Sequence, residues 1–281
     1  MNNGILYIVP TPIGNMNDIS YRAIHTLTIV ELIVSENIKH TNNLLKRFNI
    51  YKKNISLNKH NEEKKTKEIL ILLKKMKIAL VSDSGTPTIN DPGYQLIKSC
   101  HQNNIKIIPL PGPCAIITAL SASGIPSHEF YYKGFFPKKT SKRIKILNDI
   151  YKKNITFIFY ESCHRILQSI KDIVKVLGED RNITLAKEMT KKWEKIKYDK
   201  SKNILSWLLE KPSRKKGELV IIIEGIKKKK PKISLKIHNT LSLLIKHTSI
   251  NTAIKITKKI YKIQKNELYK HVINNFQHDK K

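Results

Sequence analysis

The sequence predicts an α/β protein made of two αβ domains followed by a small C-terminal helical segment. Three observations carry that prediction. Short apolar runs alternate with longer stretches of helical spacing, as in a mostly parallel sheet covered by helices on both faces. The alternation stops and restarts at GIPSHE (124–129). Loops punctuated by Pro and Gly follow three of the apolar runs in the first half. The expected bounds are 1–126 for the first αβ domain, 127–226 for the second, and 227–281 for a basic linker and helices.

The elements follow in order. ILYIV (5–9), LIVS (32–35), IALVS (78–82) and IKIIPL (105–110) are short, continuous and β-branched, so they are read as buried strands. Helical spacing lies between them over 18–30, 61–76 and 92–103. After the break, FYYKGFFPKKTSKR (130–143) is aromatic and basic, and its stretch from Phe135 to Arg143 is expected to be a loop. Then come strand ITFIFY (155–160), helix 164–177, and strands NITLAK (182–187) and ELVIIIEG (218–225). KKKKPK (227–232) interrupts the apolar pattern and reads as a solvated linker. Beyond it, Leu241, Leu244, Ile254, Ile260, Leu268 and Val272 keep helical spacing, giving two helices around YKIQK. A packing or dimer-contact appendage is preferred to a DNA-reading helix-turn-helix, because any short αα-hairpin produces this spacing.

Composition narrows the class. At 281 residues and 40% apolar the chain is long enough for two cores and too apolar for a disordered protein. No apolar run approaches membrane-spanning length, and MNNGILYIVP lacks the basic start and cleavage residues of a signal peptide. Cys100, Cys114 and Cys163 are odd in number and form no CxxC, against both a disulfide framework and a zinc site. A reducing cytoplasm and no metal are therefore expected. The net charge of +31 points to a polyanionic partner, nucleic acid above all. Against that, only six of the basic residues are Arg, the residue best suited to planar phosphate contacts. Enrichment in Lys, Asn and Ile together is also what AT-rich coding sequence yields without selection for binding.

The three punctuated loops are VPTPIGN (9–15), SDSGTPTINDPG (82–93) and LPGPCAIITALSASG (110–124), and they hold more than half of the 11 prolines. Ligands of open α/β sheets sit beyond the carboxyl ends of the strands. Gly admits close backbone approach there, and Pro holds a loop in one shape. The loops are thus expected to converge on one rigid, backbone-lined pocket. GxGxxG is absent after the first strand and GxxxxGK[ST] is absent throughout, which excludes the usual dinucleotide and triphosphate cradles.

YIVPTPIGN, VSDSGTPTINDPG, PLPGPCAIITALSASG, YESCHR and KGELV, in this order and spacing, resemble the tetrapyrrole-methylase-like (class III) S-adenosylmethionine methyltransferases. Within that family they are most similar to the branch acting on bacterial ribosomal RNA, over Ile5 to about Gly225. The resemblance implies two αβ domains with S-adenosylmethionine in the cleft between them. It further implies 2′-O-methylation of a cytidine in the decoding-centre region of 16S ribosomal RNA. The assembled small subunit is the implied partner, and the enzyme a homodimer. Cofactor contacts carried over by similarity are Pro12, Gly14, Asn15, Gly85, Thr86, Pro87, Cys114 and Ala115, with Tyr160 and Glu161 closing the site. Where the wider family has Gly-Asp-Pro, this chain has Gly85-Thr86-Pro87, so Asp83 is expected to supply the carboxylate.

Methyl transfer to a ribose oxygen needs alignment of oxygen, methyl and sulfur, and a base for the hydroxyl proton. The candidate cluster is SENIKHT (35–41). In a helix, Glu36 and His40 share a face with Lys39 beside them; Glu36 or His40 would be the base and Lys39 a phosphate or oxyanion partner. The plainer alternative is a Glu36–Lys39 surface pair with His40 capping a neighbouring helix. The family pattern here reads E-D-T-R-H-T, so Asn37, Ile38 and Lys39 are departures. For RNA, Lys138, Lys139, Lys142 and Arg143 combine with Phe135 and Phe136 as charge and stacking surface, and His164 and Arg165 as phosphate contacts. Two other readings stay open: a methylase of a small tetrapyrrole, and a non-catalytic RNA-binding assembly factor.

Overall fold

A computed structural model describes residues 4–226 and 233–276, in two compact units, Met1–Ile226 and Lys227–Lys281. The first unit is α/β with two five-stranded sheets.

The first sheet is built from β1 (Ile5–Ile8), β2 (Leu32–Ser35), β3 (Lys53–Ser56), β4 (Lys77–Val81) and β5 (Lys106–Pro109), ordered β3-β2-β4-β1-β5 and parallel throughout. Its helices are α1 (Tyr21–Ile29), α2 (Ile38–Arg47), α3 (Glu62–Leu73), α4 (Tyr94–Gln102) and α5 (Ala115–Ser121). Alternation along the strands divides the core. Leu6, Ile8, Leu32, Val34 and Leu80 face Ile69, Leu73 and Leu96 of α3 and α4. Val9, Ile33, Ala79 and Val81 face Ala23, Leu27 and Leu45 of α1 and α2. Each fully buried side chain of this kind stabilises the sheet by roughly 1.5–3 kcal/mol. The expected 18–30 helix begins only at Tyr21. Met16–Asp18 form a 3-10 turn, and the Ser20 side chain caps α1 by accepting from Ala23 N at 3.0 Å.

The second sheet contains β6 (Phe130–Phe135), β7 (Thr156–Ser162), β8 (Asn182–Lys187), β9 (Lys195–Lys200) and β10 (Glu218–Ile223), ordered β6-β7-β10-β8-β9. Only β6–β7 is parallel; the other pairings are antiparallel. Phe157, Phe159, Leu185 and Ile221 pack on α6 (Thr140–Tyr151), α7 (Ile166–Leu177) and α8 (Ser201–Glu210). The opposite face, with Ile158, Ala186, Val220 and Ile222, packs on Ile13 and on Ile116, Ala119 and Leu120 of α5. One apolar cluster therefore joins the second sheet to α5 and to the loop after β1.

The loop expected over 135–143 is confined to residues 136–139. The aromatic run before it is β6, and Thr140 opens α6. A register irregularity between Tyr132 and Phe135, with Gly134 at φ 74, leaves Phe135 exposed while Phe136 packs at 4.5 Å from Phe159. The expected stacking role of Phe136 is therefore withdrawn: it is a core residue.

In the second unit, α9 (Leu235–His247), α10 (Ile250–Tyr261) and α11 (Lys265–Phe276) bury Ile237, Leu241, Ala253, Ile254, Leu268 and Val272. The two helices expected around YKIQK are α10 and α11; among the described residues α9 precedes them, and Ser249 caps α10 from its side chain. KKKKPK (227–232) lies outside the described residues. No described helix is long and apolar enough to cross a membrane.

Candidate active site

The three punctuated loops follow β1, β4 and β5, which lie side by side in the sheet. Backbone bonds tie them together. Thr11 N donates to Gly85 O at 2.9 Å and Gly85 N to Thr11 O at 3.0 Å. The Thr11 hydroxyl donates to Ser82 O at 3.0 Å, and the Thr86 hydroxyl to Pro113 O at 2.9 Å. Gly85 has φ 85, and a Cβ there would stand 3.3 Å from Ile13 Cγ2, so glycine suits both the turn and the contact. Thr86, at the place of the family's acid, acts as a brace between loops.

Beyond these ties lies a cavity of about 460 Å³, within the roughly 300–1,000 Å³ range of small-molecule sites. Its first wall is Ile13, Gly85, Thr86, Asn90, Asp91, Cys114 and Ala115. Its second wall comes from the other sheet: Phe135, Tyr160 to His164, Met189, and Gly217 to Val220. Thus Gly85, Thr86, Cys114, Ala115, Tyr160, Glu161 and His164 meet at one cavity.

The other expected cofactor residues stand behind it or beside it. Pro12 and Pro87 are buried and do not line the cavity. Gly14 and Asn15 instead hold a neighbouring segment. A Cβ on Gly14 would come within 2.7 Å of Thr190 Oγ1, and Asn15 N donates to that same oxygen at 3.0 Å. This pins the turn that carries Met189 to the cavity. Asp83 does not line the cavity either, because its carboxylate accepts from Asn37 N at 3.1 Å.

Several expected roles are corrected. Asn37, with extended dihedrals, is the N-cap of α2: its side chain accepts from Lys39 N at 3.0 Å and His40 N at 3.2 Å. Glu36 therefore precedes the helix and does not share a helical face with His40, and Lys39 and His40 are exposed outside the cavity. The Glu161 carboxylate is 0% exposed; it accepts from Ser162 N at 2.6 Å and from the Ser169 hydroxyl, and pairs with Arg165 at 2.9 Å. Glu161 thus anchors α7, and Arg165 is engaged by it. Arg143 is 2% exposed and donates through Nε to Asp172 at 2.7 Å, to the carbonyls of Pro137 and Lys138, and to Thr140. It belongs to the scaffold and is not an RNA contact. Lys138, Lys139 and Lys142 are exposed, as is His164.

Sequence reasoning missed Asn90, Asp91 and Met189, although the first two lie inside SDSGTPTINDPG. Asn90 sits at φ 74, and its Nδ2 is buried without a hydrogen-bond partner, as is the Tyr132 hydroxyl. Asp91 is pushed up to about 6, first by burial and then by the charge of Glu36; Lys59 opposes the shift. Glu36 is itself raised, by burial and then by Asp83. Burial raises Tyr160 as well. No group of three or more His, Cys, Asp or Glu among the described residues is placed to hold a metal ion.

The family model described as Tetrapyrrole (Corrin/Porphyrin) Methylases matches residues 5–205. The chain is 56% identical over 274 residues to "Ribosomal RNA small subunit methyltransferase I" of Buchnera aphidicola subsp. Baizongia pistaciae, covering 97% of this chain and 94% of that one. It is 46% identical to the protein of that name from Escherichia coli O157:H7, covering 97% and 96%. Among solved structures, the methyltransferase CobJ aligns with TM-score 0.59 at 17% identity, over 79% of this chain and 95% of that one. Diphthine synthase aligns with TM-score 0.58 at 12% identity, over 78% and 89%. The structural likenesses concern the fold.

Proposed function

The chain belongs to the tetrapyrrole methylase family, and we propose that it uses S-adenosylmethionine to methylate 16S ribosomal RNA of the small subunit, at the 2′-oxygen of a cytidine. The observation that carries this is similarity to small-subunit ribosomal RNA methyltransferases along nearly the whole chain. The cavity supports it.

The residues present fit the cofactor. Aromatic and apolar walls from Phe135, Tyr160, Ile13 and Met189 suit a nucleoside, and the Asn90 side chain at the wall adds a polar amide. Asp91 at the wall, with Glu36 behind it, gives negative potential suited to a cation. When bound, the cofactor supplies a methyl group activated on a sulfonium sulfur. We assign its binding to Gly85, Thr86, Cys114, Ala115 and Tyr160, with Asn90 added. Pro12, Gly14, Asn15, Asp83 and Pro87 hold those residues in place. The joint between the two αβ domains at 126 and 127 lets both walls contribute, and the helices after 227 form a separate part.

Lys138, Lys139, Lys142 and His164 are the RNA contacts in this reading, with Phe135 as a stacking face at the cavity mouth. Lys39 and His40, exposed on the first turn of α2, join them as phosphate partners. Asn37 caps α2 by a bond an aspartate would also make, so its departure from the family pattern leaves the helix start intact. A cytoplasmic homodimer completes the proposal.

The test is transfer of labelled methyl from S-adenosylmethionine to small subunits from cells lacking the modification, followed by nuclease mapping. Label on a cytidine 2′-oxygen is expected. Cofactor binding without label on subunits or naked RNA would favour an assembly factor. Label on an added tetrapyrrole would favour the small-molecule methylase.

A further inference from the structure

We infer that Trp193, with Lys192 beside it, is a stacking platform for a base of the substrate RNA and so positions the strand whose ribose enters the cavity; this rests on the RNA-methylation reading above. Trp193 stands on the loop 188–194, which joins β8 to β9. It is 68% exposed, although tryptophan is highly buried on average. Lys192 Nζ lies over the ring, 5.2 Å from its centroid. Lys192 and Lys195 are both exposed, and neither forms an ion pair among the described residues.

The loop is built to hold the ring still. Glu188 and Thr190 take left-handed dihedrals, φ 50 and φ 64, which persist where neighbours over-determine them. Lys191 N donates to Glu188 O at 3.0 Å, and Glu194 N to Lys191 O at 3.0 Å. The Glu194 carboxylate accepts from Thr190 N and closes the loop on itself. The Glu188 carboxylate accepts from Glu218 N of β10 at 2.8 Å, and Lys191 bridges to Glu218 at 2.9 Å. Both acids of the loop are thus engaged within it or with β10. On its inner side the loop meets Gly14 so closely that a Cβ there would stand 2.5 Å from Lys191 Cγ. A platform ordered beforehand loses little freedom when a base settles on it.

Position and charge select the partner. Met189, at the foot of the loop, lines the cavity. Four residues of chain span at most about 14 Å, so Trp193 stands within that backbone reach of the cavity wall. A base stacked on it therefore belongs to a nucleotide close to the one being methylated. Stacking on an aromatic ring accepts any base, and cations beside the ring serve the phosphates between bases. A protein partner fits less well. The cores of protein interfaces are depleted in lysine, yet Lys192 and Lys195 flank this ring. A second copy of the chain, itself carrying +31, would bring like charge against them.

The test uses the full chain, small subunits lacking the methyl group, and the variants Trp193→Ala, Trp193→Phe and Lys192→Ala. Trp193→Ala should raise KM for subunits roughly 5- to 150-fold. That loss should fall on KM rather than kcat, and S-adenosylmethionine affinity by calorimetry should not follow it. Trp193→Phe keeps a ring and should recover most of the loss. Lys192→Ala should flatten the salt dependence of subunit affinity by about 0.7. Ultraviolet crosslinking of the parent complex should join the Trp193 peptide to a 16S nucleotide near the labelled one. A Trp193→Ala chain whose KM for subunits stays within about twofold of the parent's overturns the inference. So does a crosslink from that peptide to a ribosomal protein. A Trp193→Ala chain that sediments as a smaller species than the parent overturns it too, and makes the ring a contact between copies. A parent chain that binds cofactor yet neither binds nor labels subunits sinks the methyl-transfer reading itself, and this inference with it.

Discussion

Replacing Asp172 by Asn tests the reassignment of Arg143 from RNA contact to scaffold. The two side chains are 2% and 5% exposed for Arg143 and Asp172, and Arg143 reaches Asp172 at 2.7 Å from both Nε and Nη2. Its remaining donors go to Pro137 O at 3.0 Å, Lys138 O at 2.8 Å and Thr140 Oγ1 at 2.7 Å. The substituted amide keeps the volume and removes the charge, so a guanidinium is left buried without its counter-ion. Breaking such a pair from one side costs about 3–5 kcal/mol. For a unit of this size each kcal/mol moves Tm by roughly 2–4 °C, so a drop of roughly 6–20 °C is expected. The assay is urea unfolding followed by tryptophan fluorescence, with a thermal scan beside it. Adding Arg143→Met to Asp172→Asn should recover much of the loss, because the orphaned charge is gone. Arg143→Met should also leave the salt dependence of RNA affinity unchanged, whereas Lys142→Ala should flatten the slope by about 0.7–0.9. The reasoning is refuted if Asp172→Asn costs under about 1 kcal/mol, or if Arg143→Met flattens the slope as Lys142→Ala does.

Gly85→Ala forces a side chain into φ 85 and against Ile13, so a loss of about 1–2 kcal/mol and weaker cofactor binding are expected by calorimetry. The Asp91 carboxyl is raised in the fold from 3.8 to about 6, so the folded state holds the extra proton between those values. Stability should therefore fall as pH rises through roughly 4 to 6, and Asp91→Asn should flatten that part of the pH–stability curve. Of the three thiols, Cys100 is buried and burial pushes its pKa up to about 11, while Cys114 and Cys163 line the cavity. A maleimide should label Cys114 and Cys163 in the native protein, spare Cys100, and be slowed by saturating S-adenosylmethionine.

The first sheet was legible because β1, β2 and β4 hold unbroken apolar runs and β5 is apolar but for Lys106. Strand β3 was not: it is an edge strand, and Lys53-Asn54-Ile55-Ser56 carries one apolar residue in four. The same holds for β9, an edge with Lys195, Lys197 and Lys200, residues that also discourage pairing with another chain. Convergence of the loops was legible from Pro and Gly following strand ends. Which side chains turn into the cavity was not, because that depends on partners distant in sequence. Glu161 is claimed by Ser169 and Arg165, and Arg143 by Asp172 in another helix. Asp91 is conspicuous only once Glu36, four elements earlier in the chain, is seen to lie close enough to hold its proton.

The paired Thr11–Gly85 bonds have a consequence for how this site ages. They run between main-chain atoms, and the main chain is the same whichever codons drift. A genome that slides toward Lys, Asn and Ile can rewrite the outer faces of these helices, as at Ile38 and Lys39, without touching the bonds that shape the floor of the cavity. Vulnerability is concentrated instead at positions where a side chain would strain the backbone, as at Gly85 with its φ of 85. The imprint of the ligand is thus stored in geometry, and most of the surrounding alphabet is free to vary.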